Sequence, residues 1–295
     1  MNYIVFDLEW NQPANDQALV RKPLYLSGEI IEIGAVKLDE DFQTVDQLKL
    51  YIKPQYYTRM HHRIASLTGI SDRCLEENGL PFPEAYRKFQ QWCGEDYGYM
   101  TWSDSDLPVL IDNMLLHGLD ASHMPPCFDI QRMFDRELMR SERQYSLDAA
   151  LEVLGVQGEK AHDALHDAKN TVKVCDHLEL ESYIEEYGAR VFAEPPDLTV
   201  YETRQDLLSA KAVTAFRCPW CGEETETEGW VPLNGHRFMS MGVCGEEDEF
   251  LLIVSVLRCP EGGFQASRLL YEMSDDLWEQ YQDKLELQKA SEAGV

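Results

Sequence analysis

Residues 3–8, YIVFDL, make a short apolar run rich in β-branched and aromatic side chains, and the run ends in acids, with Asp7 followed by Glu9. A run of this kind predicts a buried strand whose C-terminal end opens on a site. Side chains at i and i+2 of a strand point to one face, so the two carboxylates project into the same space. Two unpaired carboxylates that close repel each other unless a cation lies between them. A D-x-E pair also describes a strand end wetted by solvent, so the pair alone does not define a site.

The rest of the N-terminal region builds a frame around that strand. Residues 29–37, EIIEIGAVK, and 47–53 read as second and third strands with short connections, an antiparallel beginning to a mixed sheet. Residues 83–94 carry helical spacing. GYMTW (98–102) is a further strand that runs into Ser103-Asp104-Ser105-Asp106, and 107–117 return to helix. CFDIQRMF (127–134) leads into a charged helix to residue 143. SLDAALEVLG (146–155) has a Ser N-cap and a terminal Gly, and 162–186 read as one long helix. Strands alternating with helices predict an α/β domain over 1–188. Ala193-Glu194-Pro195-Pro196-Asp197 marks a linker, the linker and a helix at 198–213 filling 189–214. A small β-rich, Cys-containing module follows at 215–273, and a C-terminal helix at 274–295, with its Ser N-cap, acidic first turn and late lysines.

Charge narrows the partners. The chain has 295 residues and a formal net charge of −27, spread along its length. Its bulk field repels phosphate, which excludes general electrostatic binding of nucleic acid. A polyanion must therefore be held locally, and metal ions are an efficient way to do it. With 44% hydrophobic and 11% aromatic residues the chain is not a solvated tail. No run of 18 apolar residues predicts a membrane span, and MNYIVFDLEW has no basic n-region or cleavage site. A cytoplasmic location is the expectation.

Two further pieces complete an acidic constellation. In AHDALHDAKNT, His162 and Asp167 are five residues apart, about 140° beyond a full helical turn, so they converge only at the N-terminal end of a helix. There Asp167 can bind a metal while His162 takes a proton from water, a role suited to the histidine side chain. Asp104 or Asp106 lies between a strand and a helix, where α/β sites assemble. Four carboxylates and a histidine suit two divalent ions about 4 Å apart that assist in-line attack of water on a phosphodiester.

The segments FDLEWN (6–11), EIIEIGAVKLD (29–39), LTGIS (67–71), WSDSD (102–106) and HDALHDAKNT (162–171), in that order, resemble the DEDDh 3′–5′ exonucleases. That family includes RNase T, oligoribonuclease-like enzymes and the proofreading subunit of DNA polymerase III. The likeness covers residues 1–185 and looks closest to the Eri-type and KapD-like branch. It implies an RNase H-like fold, a mixed five-stranded sheet flanked by helices. It also implies two Mg²⁺ or Mn²⁺ ions, with Asp7 bridging both, Glu9 and Asp167 on the nucleophile side, Asp106 on the second and His162 as general base. Asp106 is preferred to Asp104 because the family's aspartate ends a G-D-x-D-like stretch; Ser103 stands where that glycine would be. Thr68, Gly69 and Ile70 of LTGIS would contact the terminal nucleotide. Leu8 and Trp10 either pack near that base or sit in the core. Arg132, Arg136 and Arg140, spaced i, i+4, i+8, with Arg143 after them, are candidates for tracking a single-stranded backbone, as are Arg59, His61, His62 and Arg63. Pairing of the arginines with Asp129, Asp135 and Glu137 is the alternative.

Four of the eight cysteines cluster late in the chain. Cys218 and Cys221 form a C-x2-C knuckle, CPWC, and Cys244 and Cys259 follow at unusual spacings of 22 and 14 residues. Four thiolates satisfy a tetrahedral structural Zn²⁺ in a zinc-ribbon-like module, provided Cys244 and Cys259 meet through a strand pair or His236 replaces one. Reduced cysteines in a small core are the alternative. Trp220, Trp230 and Phe238 are candidate stacking residues, and the module offers a place for a protein partner or a dimer contact.

The leading expectation is a metal-dependent 3′–5′ exonuclease acting on the 3′ ends of single-stranded RNA, short oligonucleotides or DNA and releasing nucleoside 5′-monophosphates. A non-catalytic scaffold and a DNA proofreading exonuclease are the alternatives.

Overall fold

The computed structural model describes residues 1–22, 24–141, 143–194, 197–245 and 248–292. It divides into two compact units. The first comprises Met1–Val20, Leu26–Asp120 and Pro125–Glu185; the second comprises Arg21–Tyr25, Ala121–Met124 and Glu186–Val295.

The first unit is built on the strands β1 (Asn2–Asn11), β2 (Glu29–Leu38), β3 (Thr44–Tyr51), β4 (Tyr97–Thr101) and β5 (Cys127–Asp129), in the order β3-β2-β1-β4-β5. The first three pair antiparallel and β4 and β5 join parallel, as the short early connections and later helical crossovers require. Helices cover both faces: α1 (His62–Thr68), α2 (Asp72–Asn78), α3 (Phe82–Cys93), α4 (Asp106–Leu116), α5 (Ile130–Met133), α6 (Leu147–Leu154), α7 (Ala164–Cys175) and α8 (Leu180–Tyr187). The apolar run of β2 is buried throughout, as a strand covered on both sides demands. Phe6, Phe89 and Tyr99 interlock on one face of the sheet, with Phe6 and Tyr99 ring centroids 4.9 Å apart. Asp7 and Glu9 of β1 point to the other face. This is the mixed five-stranded, helix-flanked sheet that the sequence resemblance implies.

The long helix expected at 162–186 is two helices. His177 and Leu178 N–H groups bond back to Val174 and Cys175 carbonyls, closing tight turns that end α7. The charged helix expected to run to 143 stops at Leu138, its last part, Phe134–Leu138, wound as a π turn. Arg132, Arg136 and Arg140 therefore do not share one helical face: Arg132 lies within α5, Arg136 lies in the π turn, and Arg140 lies past it at φ +49°.

The second unit is more than a small ribbon. It contains β6 (Val191–Ala193), β7 (Asp197–Tyr201), α9 (Arg204–Ser209), α10 (Lys211–Thr214), β8 (Ala215–Arg217), β9 (Glu224–Glu226), β10 (Val231–Pro232), β11 (Arg237–Cys244), β12 (Asp248–Arg258), β13 (Phe264–Glu272) and α11 (Asp275–Glu292). β10-β11-β12-β13-β6 form an antiparallel sheet, β7 also pairs with β13, and β8 and β9 make a separate hairpin. Alternation along β12 buries both of its faces. Phe250, Leu252, Val254 and Val256 pack with Leu207, Val213 and Phe216, while Leu251 and Ile253 pack with Tyr281.

The expected linker and helix at 189–214 are corrected here. VFA and DLTVY supply β-branched and aromatic residues and pair as strands with β13, and two short helices follow, the first held by a capping box between Thr203 and Asp206. Pro195 and Pro196 of the expected linker lie outside the described residues. Among the described residues no helix is long and apolar enough to cross a membrane.

Candidate active site

The site grows from the end of β1. The Leu8 N–H donates to Asp106 Oδ1 at 2.9 Å, and the Ser105 hydroxyl donates to Oδ2 at 3.2 Å. These bonds tie the first turn of α4 to β1 and bury Asp106, while Asp104 faces solvent. The loop between β4 and α4 passes through Ser103 at φ +82°, a left-handed conformation in which glycine would be unstrained. Ser103 thus adopts the backbone of the glycine it stands for, and its carbonyl accepts a 2.7 Å bond from Thr101 Oγ1.

The histidine and the last aspartate arrive from α7. A Cβ on Gly34, which is paired with Asp7 across β1 and β2, would lie 2.0 Å from the Leu165 nitrogen and 2.1 Å from the Ala164 carbonyl carbon. Only glycine lets the first turn of α7 rest on β2. Asp163 caps that turn by accepting the His166 N–H. His162 lies just before the helix at φ +64°, and its backbone N–H donates to Asp167 Oδ2 at 2.8 Å. One residue of loop outside the helix thus removes the angular mismatch of the five-residue spacing. Glu9, His162 and Asp167 place ligand atoms within 4.8 Å of one another.

Behind the site runs an ion network that the motif reading missed. Glu32 pairs with Glu9 across the sheet, is 1% exposed, and meets Lys49 Nζ at 2.8 Å; Lys49 also bonds Asp163 Oδ2 at 2.5 Å. Glu32 accepts the Ala164 N–H as well. Lys49 therefore links β3, β2 and the cap of the helix that carries Asp167. The sequence signal was register: Gly34 faces Lys49, and Glu32 faces Tyr51, on the face that bears Asp7 and Glu9.

The electrostatics are unfavourable for a protein without a cation. Burial, then the charges of Asp106, Asp167, Glu9 and Glu32, push the Asp7 carboxyl far above the usual carboxylate range. Burial and the neighbouring Glu32 and Asp167 raise Glu9 to about 8, and burial raises Asp106 to about 7. Asp167 is raised by burial against the opposing His162 N–H bond. Crowded carboxylate oxygens, one histidine and no thiol are the donor set of a hard divalent cation, so these residues fit Mg²⁺ or Mn²⁺.

The four acids and His162 surround a cavity of about 370 Å³, walled by Trp10, Ile64, Leu67, Trp102 and Leu147, with Ser146 and Asp148 at its rim. Leu8 is buried and still lines the cavity, and the Trp10 ring leans on Gly28 so closely that a Cβ there would meet it at 2.3 Å. Thr68 and Ile70 do not line it. The Thr68 hydroxyl donates to the Ile64 carbonyl and accepts the Ile70 N–H, and Ile70 packs on Ile31 and Leu75. The loop's apolar surface toward the cavity comes instead from Ile64 and Leu67, one helical turn apart. Gly69 sits at φ +77°, and Lys160 Nζ lies 3.9 Å from where its Cβ would be. Buried Asn11 anchors the Arg59–His62 cluster: its amide donates to the Tyr57 and Arg59 carbonyls and its carbonyl accepts the His61 N–H.

In the second unit, Cys218, Cys221 and Cys244 come together, their Sγ atoms all within 4.8 Å. Cys259 does not join them. Cys244 pairs with Asp248 at one end of the β11–β12 ladder, and Cys259 follows the other end of β12. Eleven residues of strand put it about 35 Å away, and its Sγ meets Gln265 Oε1 at 3.5 Å. His236, whose carbonyl accepts the Val256 N–H, is at that far end too. Trp230 and Phe238 pack on the core of this unit, Trp230 Nε1 donating to the Leu208 carbonyl, whereas Trp220 is 45% exposed.

The sequence model of the RNase T exonuclease family matches residues 4–175. Among curated proteins, the chain is 30% identical over 193 residues to the PolC-type DNA polymerase III of Thermotoga petrophila, and 28% to that of Thermotoga maritima. Each match covers 64% of this chain but only 13% of the polymerase. Among solved structures, the nuclease domain of 3′hExo, a DEDDh family member bound to rAMP, is similar at a TM-score of 0.50 and 21% identity, over 60% of this chain and 90% of that one. Cell-death related nuclease 4 is similar at 0.52 and 20%, over 72% and 73%. Escherichia coli exonuclease I in complex with a dA16 oligonucleotide is similar at 0.50 and 14%, over 83% and 55%. These structural likenesses are likenesses of fold.

Proposed function

The chain belongs to the RNase T exonuclease family of DEDDh 3′–5′ exonucleases, and from that premise we propose a metal-dependent enzyme that shortens single-stranded RNA or short oligonucleotides and releases nucleoside 5′-monophosphates. The observation that carries this reading is the meeting of Asp7, Glu9, Asp106, His162 and Asp167 around one cavity. Packing alone has no use for four crowded carboxylates beside a strained histidine.

Asp7, Glu9, Asp106 and Asp167 would hold two Mg²⁺ or Mn²⁺ ions. When bound, such ions neutralise phosphate and acidify water, which also lets a strongly acidic protein hold a polyanion. The remaining chemistry is in this chain's own side chains. His162 stands at the rim, exposed, where its ring can take the proton of an attacking water. Its backbone N–H orients Asp167. Trp10, Ile64, Leu67, Trp102 and Leu147 offer apolar faces to the terminal base and sugar. The free thiols suit a reducing compartment, and we place the enzyme in the cytoplasm.

A second reading, trimming of DNA 3′ ends, draws on the likeness to PolC-type DNA polymerases. Both are tested by incubating 5′-labelled single-stranded RNA and its DNA counterpart with Mg²⁺, Mn²⁺ or EDTA, alongside His162→Ala. The expected result is a metal-dependent ladder that shortens from the 3′ end and is lost in the variant. The sugar cut faster decides between the two readings, and no cleavage of either strand refutes both.

A further inference from the structure

We propose that Cys218, Cys221 and Cys244 form a three-thiolate zinc site in the second unit, separate from the carboxylate centre and built without Cys259. The two elements that meet there are placed by backbone geometry rather than by a disulfide. Cys218 and Cys221 occupy the turn of the β8–β9 hairpin. The Cys218 N–H donates to the Glu223 carbonyl, and the Gly222 N–H to the Cys218 carbonyl, each at 2.9 Å. Gly222 completes the turn at φ +77°. The backbone N–H groups of Trp220 and Cys221 donate to the Cys218 sulfur and so fix where it points. Cys244 is the last residue of β11, and Gly245 turns the chain away at φ +69°.

What seats the hairpin over the end of β11 is an aromatic contact. The Phe216 ring lies where a Cβ on Gly242 would come within 2.5 Å of it, so glycine two residues before Cys244 admits the ring and with it the knuckle. Phe216, Cys218 and Cys244 are all buried in the same core cluster, while Cys221 faces out.

The sulfur positions suit a metal. Four ligands at a zinc–sulfur distance of about 2.3 Å in tetrahedral array stand about 3.8 Å apart. The three Sγ atoms fall within 4.8 Å of one another, and Cys221 and Cys244 are 3.4 Å apart. A disulfide would use two of the thiols and leave the third buried thiol unexplained; thiolates in a C-x2-C knuckle prefer a soft divalent ion. Among the described residues no fourth His, Cys, Asp or Glu joins the cluster, which leaves the fourth position to solvent or to a donor outside them. The knuckle belongs to a hairpin of two three-residue strands outside the larger sheet, where a metal staple contributes most to local folding.

The test is zinc content of the full chain, purified without added metal and washed with a weak chelator, beside Cys218→Ser, Cys244→Ser and Cys259→Ser. One zinc per chain is expected in the parent and in Cys259→Ser, with at least a tenfold loss of occupancy in the other two. Because a knuckle variant can misfold, the parent is also titrated with a mercurial, which should release one zinc as three thiols react, and reconstituted with Co²⁺, which should give thiolate-to-cobalt absorption. Absence of zinc after anaerobic reconstitution would overturn the proposal. So would a Cys221–Cys244 disulfide in freshly purified protein, or loss of zinc in Cys259→Ser. Loss of nuclease activity plays no part in the readout, so a failure here leaves the exonuclease reading untouched.

Discussion

Replacing Gly34 by Ala tests whether His162 and Asp167 are held in place by a backbone contact rather than by their own side chains. The added Cβ would sit 2.0 Å from the Leu165 nitrogen and 2.5 Å from the Ala164 carbonyl oxygen, both main-chain atoms that no rotamer change can move. Ordinary contact begins near 3.4 Å, so the first turn of α7 must retreat by roughly 1 Å or more. His162 and Asp167 retreat with it, while Asp7 and Glu9 stay on β1. A misplacement of that size in a preorganised site costs about 100-fold in rate, or about 2.7 kcal/mol of transition-state stabilisation. Overpacking should also cost about 1–3 kcal/mol of stability. The assay is single-turnover cleavage of a single-stranded oligonucleotide at saturating metal, with thermal melting in parallel. Gly229→Ala, whose Cβ meets nothing within 4 Å, serves as the control. A Gly34→Ala enzyme that cleaves within about threefold of the parent and melts at the same temperature would refute the reasoning.

Three other outcomes are expected. Lys49→Met should leave Glu32 buried without its cation and cost about 3 kcal/mol of stability, lowering kcat more than KM; Lys49→Arg should recover most of the rate, as read by melting and steady-state kinetics. Titrating Mn²⁺ into the protein at pH 7 in two buffers of different ionisation enthalpy should reveal proton release, because Glu9 at about 8 and Asp106 at about 7 must shed protons to bind; equal heats in both buffers would contradict it. Asp7→Asn should raise the melting temperature of metal-free protein, most visibly above neutral pH, while abolishing cleavage, since it removes one member of a repelling set.

The sign of that pH dependence follows from linkage. The unfolded chain releases the protons of Glu9 and Asp106 near their ordinary values, at about pH 4. The folded chain without metal keeps them to about 8 and about 7. Across that window the native state binds more protons than the unfolded one, so the stability of the metal-free protein is full below pH 4 and falls as pH rises toward 8. Divalent metal should cancel the fall, and a metal-free melting curve flat from pH 5 to 8 would show that the carboxylates are not crowded.

Much of the first unit was legible because its information is local. Apolar runs gave the strands, and caps such as Ser146 and Gly155 gave α6 at both ends. The convergence of His162 with Asp167 was legible only as a requirement, since nothing in a five-residue spacing says that the histidine sits outside the helix at positive φ. Lys49 was invisible because its role exists only through register with Gly34 and contact with Asp163. Thr68 and Ile70 carry a related lesson: a motif marks where a loop matters but not which side chains it spends on holding its own shape. In the second unit the prolines at 195 and 196 suggested a linker, yet the short β-branched stretches on either side find partners on β13, a pairing set by distant sequence. Cys259 failed as a ligand through simple length, because an eleven-residue strand separates it from Cys244.

The frame around the carboxylates explains how so repulsive a cluster survives folding. Three of the acids are fixed by donors that favour their charged form: Asp106 by the Leu8 N–H, Asp167 by the His162 N–H, and Glu32 by Lys49 and the Ala164 N–H. Those donors belong to β1, to β3, to the loop before α7 and to α7 itself, and the glycine at 34 sets how closely α7 rests on β2. The repulsion is therefore borne by the hydrophobic interlock of Phe6, Phe89 and Tyr99 on the opposite face of the same sheet. The spacing of the carboxylates is thus set by main-chain contacts of the frame, the preorganisation that a cation-binding centre requires.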